Sequence, residues 1–409
     1  VGSEEDEPGL LERLRNLREE AESHLEAGDP ASALRVLAAL AQELPEDGHV
    51  HFLLGRAHSA AGDGGAARAS YERATELTPQ DPRPWNNLAL LHLAEGQRDE
   101  ARRTLQQGLR VAPEDPNVLT NLANLDVSRR PAQSHALYTK ALAKDPNHEP
   151  ARLGRAQARE RLGDSSGATS DYERLVAYNG PLAPAALDGL GRLARRAGDP
   201  HMAVAFHQRA LAGRDDPGFR ANLGIALIET GQLEPAREQL EAAADARPER
   251  VSTWQALGVV YARLGEKDRS QLTKAKQAYE RAIKLDPEDW RSRFNYALLA
   301  ERFGKFDVAL RHYEIAFHLE PRAWSAAANM AKIYAETGKT KKALELLDKA
   351  LEASPDEPEL HIQRGYLLAG EERTIEARTN LRKFLDLADP SDPRREQVRA
   401  ALPEHASGS

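Results

Sequence analysis

Cysteine is absent from all 409 residues, which removes disulfide frameworks, thiolate metal sites and thiol nucleophiles together. Aromatic residues make up only 5% of the chain and β-branched residues are sparse, so an all-β fold is excluded, because strands draw on those residue types. No apolar run approaches the roughly 18 residues that a membrane helix needs. A basic surplus is missing as well: 56 Lys plus Arg stand against 64 Asp plus Glu, for a formal charge of -8. That balance argues against a nucleic-acid binder, whose phosphate contacts require excess positive charge. What is abundant is Ala, Leu, Glu and Arg, with 41% hydrophobic residues, the composition of a mostly helical chain with ample material for a core.

The chain opens on Val1 rather than Met, and Val1-Gly2-Ser3 and Ser407-Gly408-Ser409 read as processing scars. A signal or anchor is therefore expected to have been removed from the N-terminus, which points to the periplasm or bacterial cell envelope rather than the cytoplasm. The acidic opening, Glu4 to Glu7, reads as a solvated flexible end.

Self-similarity decides the architecture. Glycines fall at Gly28, Gly62 and Gly96, then at Gly163, Gly198, Gly231, Gly265, Gly304 and Gly338. Prolines run in parallel at Pro45, Pro79, Pro113, Pro146, Pro248, Pro287, Pro321 and Pro355. Each period is an apolar helical stretch, a glycine turn, a second apolar helical stretch and a proline stop, that is, a helix-turn-helix repeat. Small residues recur where the two helices must approach closely, at Ala33, Ala67, Ala101, Ala203, Ala236, Ala275, Ala309, Ala343 and Ala377. A large residue follows four places later, as at Tyr71, Leu105, Tyr279, Tyr313 and Leu347, on the same helical face.

This pattern resembles the tetratricopeptide repeat family, whose signature is W-x2-L-G-x2-Y, then A-x3-F, then P. Trp254, Leu257, Gly258 and Tyr261 match the first part, and Ala275, Tyr279 and Pro287 complete it. Eleven repeats can be framed from about residue 14 to about residue 391. The resemblance implies an all-α fold, a right-handed α-solenoid superhelix whose first helices line a concave face. Expected boundaries are a flexible segment 1–13, repeats 1 to 5 over 14–182, repeats 6 to 11 over 183–391, and a capping helix and tail over 392–409. The break at 182 is placed there because Asn179-Gly180-Pro181-Leu182-Ala183-Pro184 is the poorest stretch for helix packing. Repeat 8 has gained five residues between Gly265 and Ala275, and eleven of the thirteen lysines lie after Gly265.

One place in the first helix repeats an amide: Asn87, Asn121, Asn222, Asn295 and Asn329, with Gln363 in the last repeat. Asn is a mediocre helix former, so local folding does not call for it there. A carboxamide complements a backbone amide, so a ladder of them, joined by Asn124, would hold an extended peptide by its main chain. The groove asparagines in the repeat arm of O-linked N-acetylglucosamine transferase imply that mode. Equally, the amides would tie neighbouring repeats together, and both readings stand at this level. The same lining offers Phe52, Leu90, Leu93 and Ile225, then Ile228, Val259, Phe294 and Leu298, which would accept side chains of a bound segment or pack on neighbouring helices. Arg161, Arg192, Arg195 and Arg196 form a candidate basic patch for an acidic partner.

The two-carboxylate clamp of chaperone-binding family members is not supported, because Pro150 and Gly154 stand where its basic pair belongs. His24, His58 and His92 form a column in repeats 1 to 3. Neighbouring first helices are roughly 8–10 Å apart, too far to share one zinc easily. No HExxH, GxSxG or phosphate loop appears, so neither a metal, a cofactor nor catalysis is expected. The sequence therefore reads as a non-catalytic scaffold that binds an extended or helical segment of another protein in its groove and serves assembly of a larger complex. The alternative is the substrate-recruiting arm of a larger, glycosyltransferase-like enzyme.

Overall fold

The computed structural model describes residues 7–402, with side chains from residue 10 onward. Among these residues there are 23 helices and no strand. They come in pairs: α1 (Glu7–Glu26) and α2 (Pro30–Glu43), α3 (Gly48–Ala60) and α4 (Gly64–Leu77), α5 (Pro82–Ala94) and α6 (Arg98–Val111), α7 (Pro116–Asp126) and α8 (Pro131–Lys144). The series continues with α9 (Glu149–Leu162) and α10 (Ser165–Tyr178), α11 (Ala183–Arg196) and α12 (Pro200–Gly213), α13 (Pro217–Glu229) and α14 (Leu233–Ala246), α15 (Val251–Leu264) and α16 (Ser270–Leu285). It closes with α17 (Trp290–Arg302) and α18 (Phe306–Leu319), α19 (Ser325–Glu336) and α20 (Thr340–Ala353), α21 (Pro358–Gly370) and α22 (Thr374–Leu387), then the short α23 (Arg394–Ala401). Eleven tandem helix pairs plus a terminal helix make this the solenoid of the repeat pattern. Val398 of α23 is fully buried against Phe384 and Ile362, covering the last pair.

Each helix begins and ends for a local reason. Asp47 Oδ1 accepts from the backbone N–H groups of His49 at 2.8 Å and Val50 at 3.2 Å, and Asp289 Oδ2 accepts from Ser292 N at 2.7 Å. Such caps satisfy donors that the first helical turn leaves free. Eight of the nine turn glycines adopt a positive φ, ending the first helix in the left-handed conformation. Gly265 does not (φ -62°). The residues gained after it form a turn and start α16 early, so that Leu272 packs where a Cβ on Gly265 would lie.

The nine repeat alanines are all buried, as helix-to-helix contact requires. The core glycines have the same cause. A Cβ on Gly258 would lie 2.3 Å from the Tyr279 ring, and one on Gly55 would lie 2.4 Å from Tyr71. The tryptophan place has a second role that patterning alone does not reveal. Trp254 Nε1 donates to Pro248 O at 2.9 Å and Trp85 Nε1 to Pro79 O at 3.2 Å, each reaching back six residues to the carbonyl of the proline that stops the preceding helix. His51 sits on Pro45 O, His361 on Pro355 O and Arg293 on Pro287 O in the same way. In these repeats the Trp, His or Arg donor satisfies this carbonyl, while Leu119, Leu187 and Ala327 stand at the same place without one.

Three expectations are corrected. The flexible segment 1–13 is cut short, because α1 is helical from Glu7 and Leu10 packs on the first core cluster; residues 1–6, with Glu4, Glu5 and Asp6, and the 403–409 end lie outside the described residues. The chain divides into two compact units between Arg214 and Asp215, one helix pair beyond the expected break at 182. The Asn179 to Pro184 stretch joins two packed helices. Asn179 takes the left-handed cap of α10 (φ +55°), α11 starts at Ala183, and α10 packs directly on α11. A core cluster of Ala156, Tyr172, Leu175, Ala186 and Leu190 runs through the junction.

Candidate binding face

Within each unit the first helices of successive pairs touch one another, as α3 touches α5 and α15 touches α13 and α17. Second helices meet their neighbours through the intervening first helices. The first helices are thus drawn closer together and their outward side is the inner face of the array. The place three residues after the amide place lies on this face and carries Leu90, Asn124, Ile225, Val259 (after Ala256), Leu298, Lys332 and Tyr366 in different repeats. Leu90 is 42% exposed and Asn124 is exposed, while Ile225, Val259 and Leu298 are half-buried.

The amide ladder is largely occupied by the protein itself. Asn121 Nδ2 donates to Asn86 Oδ1 at 2.7 Å, from α7 to α5. Asn329 Nδ2 donates to the Tyr313 hydroxyl at 3.2 Å, from α19 to α18. Asn87 faces the Tyr71 hydroxyl and also accepts from Asn86. Asn222 accepts from Arg250 at 3.4 Å, Asn124 accepts from the Tyr138 hydroxyl at 2.6 Å, and Gln363 donates to Glu359 within its own helix. At Asn87 and Asn329 the repeated place faces the second-helix tyrosine of the preceding pair. Where that tyrosine leans further in, the place becomes glycine: a Cβ on Gly154 would lie 2.4 Å from Tyr138, and one on Gly189 would lie 2.4 Å from Tyr172. Asn295 is the exception, half-buried with no hydrogen-bond partner among the described residues.

The apolar candidates separate by burial. Phe52 (6% exposed) and Ile228 (9%) belong to the core and are not offered to a ligand. Leu93 packs on the cluster of Leu105 and Val118, and Phe294 and Leu298 pack at the edge of the cluster around Tyr313. Val259, Leu298 and Asn295 line a hollow of about 470 Å³ between α15 and α17. Its rim holds Arg263 and Arg302, whose tips are anchored, donating to Ile228 O at 2.8 Å and Ala262 O at 3.1 Å on the preceding first helices. What they present to the hollow is chiefly aliphatic stem.

The expected basic patch is not free charge. Arg192 pairs with Glu160 at 2.9 Å and with Asp188, and Arg196 reaches Glu160 at 3.2 Å. Arg195 is also partnered, and Arg161 alone stands exposed without a partner. Sequence reasoning missed the acids that bind these arginines, although Asp188 stands where Phe52, Phe294 and Ile362 stand in other repeats and Glu160 where Leu93, Ile228 and Ala262 stand. Glu160 takes the Tyr172 hydroxyl at 2.9 Å, and the buried ring of His207 holds Nδ1 2.9 Å from Asp188 Oδ1. Asp171, also buried, takes two bonds from Arg155 (2.8 and 2.6 Å) and one from Arg159 (2.8 Å). Burial pushes the Glu160 carboxyl upward, but hydrogen bonds and charge from Arg192, with Tyr172 and Arg196, outweigh it and hold the group below its ordinary range. This network ties α9, α10, α11 and α12 together.

The histidine column works locally: His24 lies 3.7 Å from Glu20 and 4.0 Å from Asp29, and His92 Nδ1 is 2.7 Å from Gln97 Oε1. No group of three or more potential metal ligands occurs among the described residues. No described helix is long and apolar enough to cross a membrane.

The tetratricopeptide repeat family model matches residues 153–218 and 297–358, and the Tetratricopeptide Repeats-Sensor model matches 199–300. The model for the C-terminal domain of cilia and flagella-associated protein 70 matches residues 12–180. Superkiller protein 3 of Schizosaccharomyces pombe is 24% identical over 185 residues, which is 43% of this chain but only 13% of that protein. Among solved structures, the APC/C hetero-tetramer Cut9-Hcn1 aligns over 96% of both chains with a TM-score of 0.53 at 12% identity. The human IFIT1 dimer with m7Gppp-AAAA covers 84% of this chain and 91% of its own, with a TM-score of 0.51 at 16% identity. At these identities the likeness is one of fold.

Proposed function

Because this chain is a tetratricopeptide repeat protein, we propose that it is a non-catalytic interaction scaffold holding a segment of another protein along the inner face of its first helices, in assembly of a larger complex. The observation that carries this reading is the stripe Ile225, Val259 and Leu298. These are three half-buried apolar residues at one register on three consecutive first helices, with the unpaired Asn295 amide beside them. A groove of apolar floor and one free carboxamide suits an extended or amphipathic segment, whose side chains fill the hollow while its main chain meets the amide. It does not suit a phosphate backbone, since the nearby guanidinium tips are spent on backbone carbonyls. The recruiting arm of a larger enzyme would use the same face, and no separate observation favours it.

The test is selection of a displayed random-peptide library on the full chain, followed by affinity measurement on Val259→Asp with Leu298→Asp. Binding weakened about tenfold or more at an unchanged melting temperature supports the groove. Selected peptides that bind the double variant as well as the parent would place recognition elsewhere.

A further inference from the structure

A second feature lies away from the inner face, where two breaks in the repeat coincide. The first is the insertion: ten residues separate Gly265 from Ala275, against five from Gly304 to Ala309. The second is a pair of exposed aromatics on the next turn, Phe303 (43% exposed) and Phe306 (42%), flanking Gly304 at φ +69°. At the place of Phe303 other repeats carry Glu95, Ala197, Thr337 or a leucine, as at Leu162 and Leu264, and no other turn glycine has an aromatic at either place. The turn folds without them, so two large apolar side chains in water are not explained by folding.

Between α16, α17 and α18, Thr273 of the insertion and Phe303 line a hollow of about 470 Å³, with Phe306 outside its lining. Its floor is apolar, formed by Leu299, Ala300, Val308 and the Phe303 ring, and its rim is Lys276 and Lys305. The size suits one large side chain and a few flanking atoms. The surrounding charge is asymmetric in what is left uncommitted. Glu266 pairs with Arg302, Asp268 caps Ser270 and Gln271, and Glu280 takes both Lys276 and the Tyr296 hydroxyl. Lys305, Lys267 and Arg269, the last a helical turn before Thr273 on the wall, have no ion-pair partner among the described residues, and of the nearby acids only Asp307 is likewise free. The lysines concentrated after Gly265 thus supply a cationic rim to an apolar hole.

We propose that this hollow is a second docking site, taking an acidic segment of a partner protein that inserts one aromatic or aliphatic side chain against Phe303 while a carboxylate meets the unpaired Lys305. The proposal does not depend on the inner-face reading, since the two hollows share only the buried Leu299 in their linings. Apolar contact supplies affinity, and the rim sets the sign of the partner and a dependence on salt.

The probe is a library of short peptides, each with a single Leu, Phe or Trp among Glu and Asp, measured by fluorescence anisotropy on the full chain. Acidic members are expected to bind, about tenfold more weakly to Phe303→Ser and to Lys305→Glu, and less tightly at high salt. Val259→Asp with Leu298→Asp is expected to leave this binding unchanged, which separates this site from the inner face. Phe303 is solvent-exposed, so its replacement is not expected to unfold the chain, and the melting temperature checks this. The proposal is overturned if no acidic peptide binds, or if peptides with Lys in place of Glu bind equally. It also falls if binding is insensitive to Phe303→Ser, or if sedimentation shows a dimer that Phe303→Ser dissolves, since the occupant would then be a second copy.

Discussion

Asn329 donates to the hydroxyl of Tyr313 at 3.2 Å across the seam between one helix pair and the next, and Tyr313 in turn donates to Glu301 at 2.9 Å. Tyr313 is fully buried, so its hydroxyl depends on these two partners, and burial pushes its ionisation upward. The repeated asparagine is thereby a seam residue before it is anything else.

Asn329→Ala is expected to cost about 1 kcal/mol, the net worth of one hydrogen bond, and Tyr313→Phe about 1–2 kcal/mol because both partners lose it. Urea unfolding of the full chain measures both. In the double variant the two losses should not add, because they share one bond. Additive losses would show that the bond contributes nothing to stability.

The architecture was legible because its causes are local and repeated. A proline, a glycine and a small residue at fixed intervals dictate two helices and their close approach, and Gly258 against Tyr279 is that rule in coordinates. The site was less legible because a single register place has two sides. Asn87 and Asn329 share a place with Gly154 and Gly189, and each of the four meets a tyrosine of the preceding second helix, by a hydrogen bond at the amides and by close ring approach at the glycines. Phe52 looked like groove lining from its place, yet it is 6% exposed because Tyr71 and His49 close over it. The arginines of α11 looked free because Glu160 had to be found across repeats, while Asp188 sits one turn before Arg192 on the same helix.

The acid network predicts a pH dependence with a definite sign. The folded-state pKa of Glu160 is depressed, with burial opposing and the Arg192 guanidinium prevailing. Its contribution to stability is therefore complete above the unfolded value of about 4.3 and is lost as pH falls through the lower folded value. Glu160→Gln should be less stable than the parent at neutral pH, and the gap should narrow below about pH 4. Melting temperatures of both proteins across that range check this. A gap that stays constant with pH would mean that Glu160 acts through packing alone.

The last prediction concerns where the chain can be cut. Solenoid stability is a sum of repeat terms and nearest-neighbour interface terms, so a fragment survives if its end leaves interfaces whole. A cut after residue 178 removes Ala186, Leu190 and Leu193 from the cluster that covers Tyr172 and Leu175, and takes Arg192 and Arg196 from Glu160. A cut after Arg214 leaves that cluster and its ion pairs complete and follows the division into compact units. We therefore propose that residues 7–214 and 215–402 are the separately foldable blocks. Fragment 7–214 should unfold in one cooperative transition, and 7–178 should melt earlier despite containing five complete helix pairs. Limited proteolysis of the full chain should spare Asn179 to Pro184 and cleave first near Arg214 or in the Glu266 to Arg269 turn. Equal melting of 7–178 and 7–214, with early cleavage at Asn179 to Pro184, would return the boundary to the proline-rich junction.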